Sequence, residues 1–343
     1  MRRRNTPILA LVLAALVGGA VPLLGGAQGA PQATTPVANP QRPTQPSSGP
    51  GSTEALFGGV TVIEQIPSGQ PQTDYWLFVP TDPLTESVAA AEPYPVVIFV
   101  HGSSGGFPGP YLDWIEHLVR RGAVVLFPAY ESDATVEPEY RYALQRDVRS
   151  GLDALEREGV PVDVTRVAVV GISLGGVLSV DYAASAAAAG LPVPAAVMGI
   201  APGCLTDMEC LGADLAAFPG AARLLLVTEA DETDPMAPAM IERIWEGVDA
   251  VPLENRDIVR LVTDGHGKPS LLAVHTQALA GGADKPDAFD WYGTWKWLDA
   301  LMGCTFAGDW CEYALGNTPE QRFMGTWSDG VPVAEAIVSD DPA

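Results

Sequence analysis

Val167-Ala168-Val169-Val170-Gly171-Ile172-Ser173-Leu174-Gly175-Gly176 is a β-branched apolar run that ends in Gly-x-Ser-x-Gly and passes directly into a helix-forming stretch, Val177 to Ala189. The pattern predicts a buried strand, a sharp turn and a helix, with the serine at the turn. A serine hydroxyl is a poor nucleophile until a base removes its proton, and a strand-to-helix turn puts the hydroxyl where base and substrate both reach it. Gly171 and Gly175 lack a Cβ, so neighbouring backbone can pack closely around a turn whose serine is strained. Ser173 is the candidate nucleophile.

Working outward, short apolar strands alternate with helical segments. Strands are expected near Val60–Ile66, Tyr75–Val79, Val96–Val100, Val124–Pro128, Val167–Gly171, Ala196–Ile200, Leu224–Val227 and Ile258–Thr263. The first two, joined by the polar turn Pro67–Asp74, read as an antiparallel hairpin; the later ones need helical crossovers. Pro110–Arg121, Glu137–Glu158 and Pro286–Met302 carry apolar residues at helical spacing, and the Trp291, Trp295, Leu298, Met302 stripe reads as core packing. The fold class is therefore α/β, a mostly parallel eight-stranded sheet with helices on both faces.

Three loops beyond strand ends supply partners for Ser173. After the third strand, His101-Gly102-Ser103-Ser104-Gly105-Gly106 is a small-residue loop able to offer a backbone N–H to an oxyanion, with the Leu174 N–H as second donor. Ser103 is the expected loop donor and Ser104 the fallback, while His101 shapes the loop through side-chain hydrogen bonds. After the seventh strand, Glu229-Ala230-Asp231-Glu232-Thr233-Asp234 is a carboxylate cluster from which Asp231 is chosen as the acid, with Asp234 and Glu229 competing. After the eighth, Asp264-Gly265-His266-Gly267 offers His266 as the base, with His275, which reads as part of a structural helix, as the rival, while His117 precedes the serine in the wrong chain order.

The N-terminus, Arg2-Arg3-Arg4 followed by an apolar run from Ile8 to Leu24 and small residues to Ala30, reads as a signal peptide over 1–29, with an uncleaved membrane anchor as the alternative. Residues 30–52 are rich in Pro, Gln, Thr and Ser and read as a disordered linker. The catalytic domain is then placed at 53–303, and 304–343 is read as a C-terminal extension packed on its flank and ending in an acidic tail. An exported chain with four cysteines suggests disulfides, Cys204 with Cys210 and Cys304 with Cys311, over zinc, since the short Cys-x-x-Cys spacing is missing. With 42 acidic residues against 19 basic ones, nucleic acid is excluded as a partner.

With His101-Gly102 and Gly171-Ile172-Ser173-Leu174-Gly175 in place, the chain resembles the α/β-hydrolases, and among them the lipase, dienelactone-hydrolase and chlorophyllase-like esterases, from about Thr53 to at least Met302. Thr228 stands where relatives commonly have Gly, which keeps the choice among Asp231, Asp234 and Glu229 open. The expectation is a secreted serine hydrolase that cleaves neutral carboxylic esters, small or polymeric, without metal or organic cofactor. Peptide or amide hydrolysis by the same triad, or a non-catalytic binding module on this fold, are the alternatives.

Overall fold

The computed structural model describes residues 39–65, 75–89, 93–131, 139–205, 209–234, 236–279 and 285–342. The expected signal segment, residues 30–38 of the expected linker and the hairpin turn at Pro67–Asp74 lie outside them.

Among the described residues nine strands form one sheet: β1 (Phe57–Gln65), β2 (Tyr75–Pro83), β3 (Tyr94–Val100), β4 (Val124–Pro128), β5 (Val162–Ile172), β6 (Ala196–Ile200), β7 (Arg223–Glu229), β8 (Arg256–Leu261) and β9 (Ile337–Ser339). Their order is β1-β2-β4-β3-β5-β6-β7-β8-β9. The strands from β4 to β8 run parallel, whereas β1, β2 and β9 add antiparallel edges. The expected hairpin pairs in register from Phe57↔Pro83 to Gln65↔Tyr75. Eight strands were expected; the ninth comes from the C-terminal extension, where three residues pair with β8 and cover its edge.

The helices are α1 (Glu86–Ala89), α2 (Leu112–Arg120), α3 (Tyr140–Arg157), α4 (Leu174–Ser185), α5 (Ala237–Gly247), α6 (Trp295–Phe306), α7 (Cys311–Ala314) and α8 (Pro319–Arg322). Successive strand residues point to opposite faces, so β3 sends Val96, Ile98 and Val100 to one core layer and Val97 and Phe99 to the other. The first layer is closed by Leu144 and Val148 of α3, Val177 and Leu178 of α4, and Met240 and Ile244 of α5. On the opposite face lie Trp114, Ile115 and Leu118 of α2 with Trp297, Leu298 and Leu301 of α6. Both faces of the parallel strands are thus buried, which is why these strands read as continuous apolar runs. Trp295 and Leu298 of the aromatic stripe are core residues, as expected.

Residues 39–52 do not behave as the expected linker. Ser52 is fully buried, Arg42 pairs with Asp287 at 2.7 Å, Gln41 donates its N–H to Ser328 Oγ at 2.8 Å, and Gly51 donates to Asp299 Oδ2 at 2.8 Å. Composition argued against an apolar anchor and missed that polar bonds to the domain order the segment. The boundary expected at 303/304 also falls inside α6. The cysteines pair as expected, Cys204–Cys210 and Cys304–Cys311, and among the described residues no free cysteine remains.

Candidate active site

In chain order β3 is followed by β4 on one side, and β5 then lies on the other, so the strand order reverses at β3. Ligand crevices of open parallel sheets open at such a point, beyond the carboxyl ends of the strands. Both the loop after β3 and the turn after β5 emerge there.

At the turn, Ser173 takes φ 58° and ψ −123° between the last residue of β5 and the first of α4. A non-glycine residue at this φ is strained, and the surrounding contacts hold it. Its N–H donates to the Ile200 carbonyl at 2.8 Å, and its carbonyl accepts from Gly176 at 2.8 Å. The close packing inferred for the glycines is steep: a Cβ on Gly171 would sit 2.1 Å from the Gly175 carbonyl oxygen, and one on Gly175 would sit 2.2 Å from that of Val100. The α4 helix thereby runs directly against β3 and β5. Leu174 opens α4, and a first-turn N–H has no intrahelical acceptor.

Ser173 Oγ lies 2.9 Å from His275 Nε2, and His275 Nδ1 lies 2.6 Å from Glu232 Oε2. With Glu232 accepting from Nδ1–H, Nε2 carries the lone pair that faces the serine hydroxyl. The other carboxylate oxygen, Oε1, accepts the N–H groups of Thr233 and Asp234, each at 2.7 Å. Burial alone would push the Glu232 carboxyl up, but the Asp234 N–H, His275 and the Thr233 N–H outweigh it and hold the group below the usual range. The imidazole is therefore backed by an anion.

This corrects two residues of the expected triad. His266 is not at Ser173: its Nε2 pairs with Asp329 at 2.8 Å and its ring lies against Trp327. The chain beyond β8 makes an excursion closed by the Asp264↔Leu271 bridge, with both N–H···O contacts at 2.9 Å. His266 rides the outer part of that excursion towards the C-terminal extension, and the returning strand delivers His275. His275 opens a turn instead of sitting in the expected helix. No local pattern in Leu271-Leu272-Ala273-Val274 announces this, because the bridge is a tertiary event.

Asp231 is likewise displaced by its neighbour Glu232. Its N–H donates to the Ala273 carbonyl at 2.9 Å, and its carboxylate accepts from Thr263 Oγ1, which in turn accepts the Ala273 N–H at 2.8 Å. Asp231 therefore pins the His275 segment to the end of β8. Of the competing acids, Asp234 caps the N–H of Met236 at 2.9 Å. Glu229 is buried, and burial together with the Glu232 charge pushes its carboxyl well above the usual range; neither of its oxygens makes a hydrogen bond among the described residues, so it does not hold His275.

In the loop after β3, His101 is fully buried, stacks on Tyr130 at 4.2 Å and donates from Nδ1 to the Gly102 carbonyl at 2.7 Å. Burial lowers it to about 4, so it stays neutral and shapes the loop as expected. A Cβ on Gly102 would lie 3.4 Å from Ser173 Cβ, which sets the loop against Ser173. The Ser104 N–H, the fallback donor expected above, is engaged by Glu131 Oε2 at 2.5 Å. His117 is buried against Asp299, remote from this loop cluster in the α2–α6 layer.

No protein-family profile and no curated protein matches the sequence. Among solved structures, the chain is similar to a fungal esterase from Rhizomucor miehei at 17% identity and a TM-score of 0.52, over 74% of this chain and 86% of that one. The chain has the α/β-hydrolase fold. Carboxyl esterase 2 of the fungus Tuber melanosporum is also similar, at 20% identity and a TM-score of 0.46, over 67% of this chain and 82% of that one. Within the hydrolase fold the Ser173 turn, the Glu232 loop and the His275 loop converge on one sheet edge, whatever their sequence spacing. No group of three or more metal-binding side chains and no helix long and apolar enough to cross a membrane occurs among the described residues.

Proposed function

We propose that this chain is a secreted serine hydrolase of carboxylic esters, with Ser173 as nucleophile, His275 as base and Glu232 as its anionic partner. The observation that carries the reading is the continuous contact from Ser173 Oγ through the His275 ring to Glu232, at 2.9 and 2.6 Å, on a serine held in a strained turn. Ser173 Oγ attacks the carbonyl carbon as its proton passes to His275 Nε2. The oxyanion is met by the N–H groups of Ser103 and Leu174, each such donor being worth roughly 3 kcal/mol. Collapse breaks the ester C–O bond, and Nε2–H protonates the departing alcohol. Water, deprotonated by His275, then attacks the acyl-enzyme and releases the acid and Ser173. Glu232 stays ionised throughout and stabilises the imidazolium.

Esters are favoured over amides by the fold's similarity to esterases, and neutral esters by the excess of acidic residues, which repels anionic substrates at low salt. The 22 residues between β6 and β7, which carry the Cys204–Cys210 disulfide, are too few for a large helical lid between those strands, which favours a site open to soluble and polymeric esters. Two disulfides and a leader-like N-terminus support export. The test is fluorophosphonate labelling of the whole chain with a panel of p-nitrophenyl esters and aminoacyl anilides. Labelling at Ser173, lost in Ser173→Ala, with faster ester turnover is expected; faster anilide turnover would make the protein a peptidase, and no labelling would remove the nucleophile.

A further inference from the structure

The loop Gly102-Ser103-Ser104-Gly105-Gly106 has to present the Ser103 N–H in one orientation, yet its composition is the most flexible that a chain allows. Fixing each such residue costs backbone conformational entropy. Its ends are anchored: Tyr130 Oη donates to the His101 carbonyl at 2.7 Å, the Gly102 N–H donates to Tyr111 Oη at 3.1 Å, and Gly105 donates to the Gly102 carbonyl at 3.0 Å. The middle is held from outside by one side chain. Glu131, the residue after Tyr130, accepts the Ser104 N–H on Oε2 at 2.5 Å and the Ser103 hydroxyl on Oε1 at 3.1 Å. Ser104 sits at φ 61°, a left-handed conformation that a serine adopts only when its surroundings impose it.

We propose that Glu131 is a positioning residue for the oxyanion site, clamping Ser103 and Ser104 so that the Ser103 N–H is preorganised for the tetrahedral intermediate. A carboxylate beside a developing negative charge opposes it electrostatically. Its presence there is explained by two charge-assisted bonds, each about twice as strong as a neutral one, to a loop whose middle has no other side-chain clamp among the described residues. The proposal rests on the Ser173 reading above and adds a residue that touches neither substrate nor the reacting atoms. Because the oxyanion forms only after substrate has bound, in the tetrahedral intermediate and its flanking transition states, losing the clamp should lower kcat and leave KM nearly unchanged.

The experiment compares wild type, Glu131→Ala, Glu131→Gln and Ser173→Ala on a neutral p-nitrophenyl ester, together with the Ki of an alkyl boronic acid. Its adduct on Ser173 places an oxygen where the oxyanion forms. Glu131→Ala should lose about 10- to 100-fold in kcat with KM within about threefold, and Ki should rise by a similar factor. Glu131→Gln keeps one acceptor oxygen and should lose about three- to tenfold. Wild-type kcat and Ki in Glu131→Ala would overturn the proposal, as would a large KM rise with kcat intact. Should the alanine variant fail to fold, wild-type kcat and Ki in Glu131→Gln would overturn it equally. An active Ser173→Ala would instead sink the nucleophile reading, whereas a dead Ser173→Ala beside wild-type Glu131 variants would sink only the clamp.

Discussion

Asp231 and Glu232 are consecutive carboxylates with different tasks, and the difference lies in what each accepts. Glu232 takes His275 Nδ1 and two backbone N–H groups; Asp231 takes the Thr263 hydroxyl and, through it, anchors Ala273. Replacing Glu232 by Gln puts an amide opposite Nδ1 that can force the wrong tautomer, so kcat should fall about 10³- to 10⁴-fold with the fold intact. Asp231→Ala removes a hydrogen bond that holds the loop, and should cost about 1–3 kcal/mol of stability and a smaller part of kcat. Circular dichroism melts beside steady-state rates separate the two; equal kcat losses in both variants would contradict the assignment. One acid in this cluster was legible from its place after an apolar strand. Which one was not, because a turn of a single residue decides which carboxylate faces the histidine.

At the scale of elements, β5, the Ser173 turn and α4 act as one unit because two glycines let the helix touch the strands. The Cβ of Gly175→Ala would meet the Val100 and His101 carbonyl oxygens at 2.2 and 2.3 Å, and neither is on a flexible side chain. The substitution should cost more than about 3 kcal/mol in urea unfolding. Gly265→Ala, whose Cβ meets only Ser270 Oγ at 3.9 Å, should change stability by less than about 0.5 kcal/mol and serves as the control. This unit was readable in the sequence because all its signals are local: a β-branched run, Gly-x-Ser-x-Gly and helix formers within about twenty residues. The His275 loop was not, since its course depends on Asp264 pairing with Leu271 and on Asp231 reaching Ala273. Gly265 and Gly267 marked a turn correctly, but not the direction in which that turn carries His266.

At the level of the whole domain, polar bonds tie the segment before β1 and the C-terminal extension onto the sheet. Lys296 Nζ donates to the carbonyls of Glu320, Gln321 and Phe323, and Gln321 Nε2 donates to Asp257 at 2.9 Å, so the C-terminal extension is strapped to α6 and β8. The segment before β1 is tied through Asp299, whose Oδ2 accepts from Gly51, His117 Nε2 at 2.9 Å and Arg121 at 3.1 Å. Burial alone would raise the Asp299 carboxyl, but His117, Arg121 and Gly51 outweigh it and hold it below its usual value. A carboxyl depressed in the folded state contributes stability above its unfolded pKa of about 3.9, and that stability is lost as pH falls through the folded value. Asp299→Asn should therefore be less stable at pH 7 by about 3–5 kcal/mol, the cost of leaving the Arg121 guanidinium without its anion. The deficit should narrow below about pH 4, as the wild type loses its own charge. A deficit independent of pH in thermal melts would show that packing, and not the Asp299 charge, holds the segment.

The base is either His275 or His266, and steady-state turnover of a neutral p-nitrophenyl ester by His275→Ala and His266→Ala, with both proteins verified as folded, decides between them. His275→Ala should lose at least about 10³-fold in kcat, since Ser173 keeps its proton, and His266→Ala should retain at least about half. A folded, active His275→Ala beside a folded, inactive His266→Ala would contradict the choice of His275.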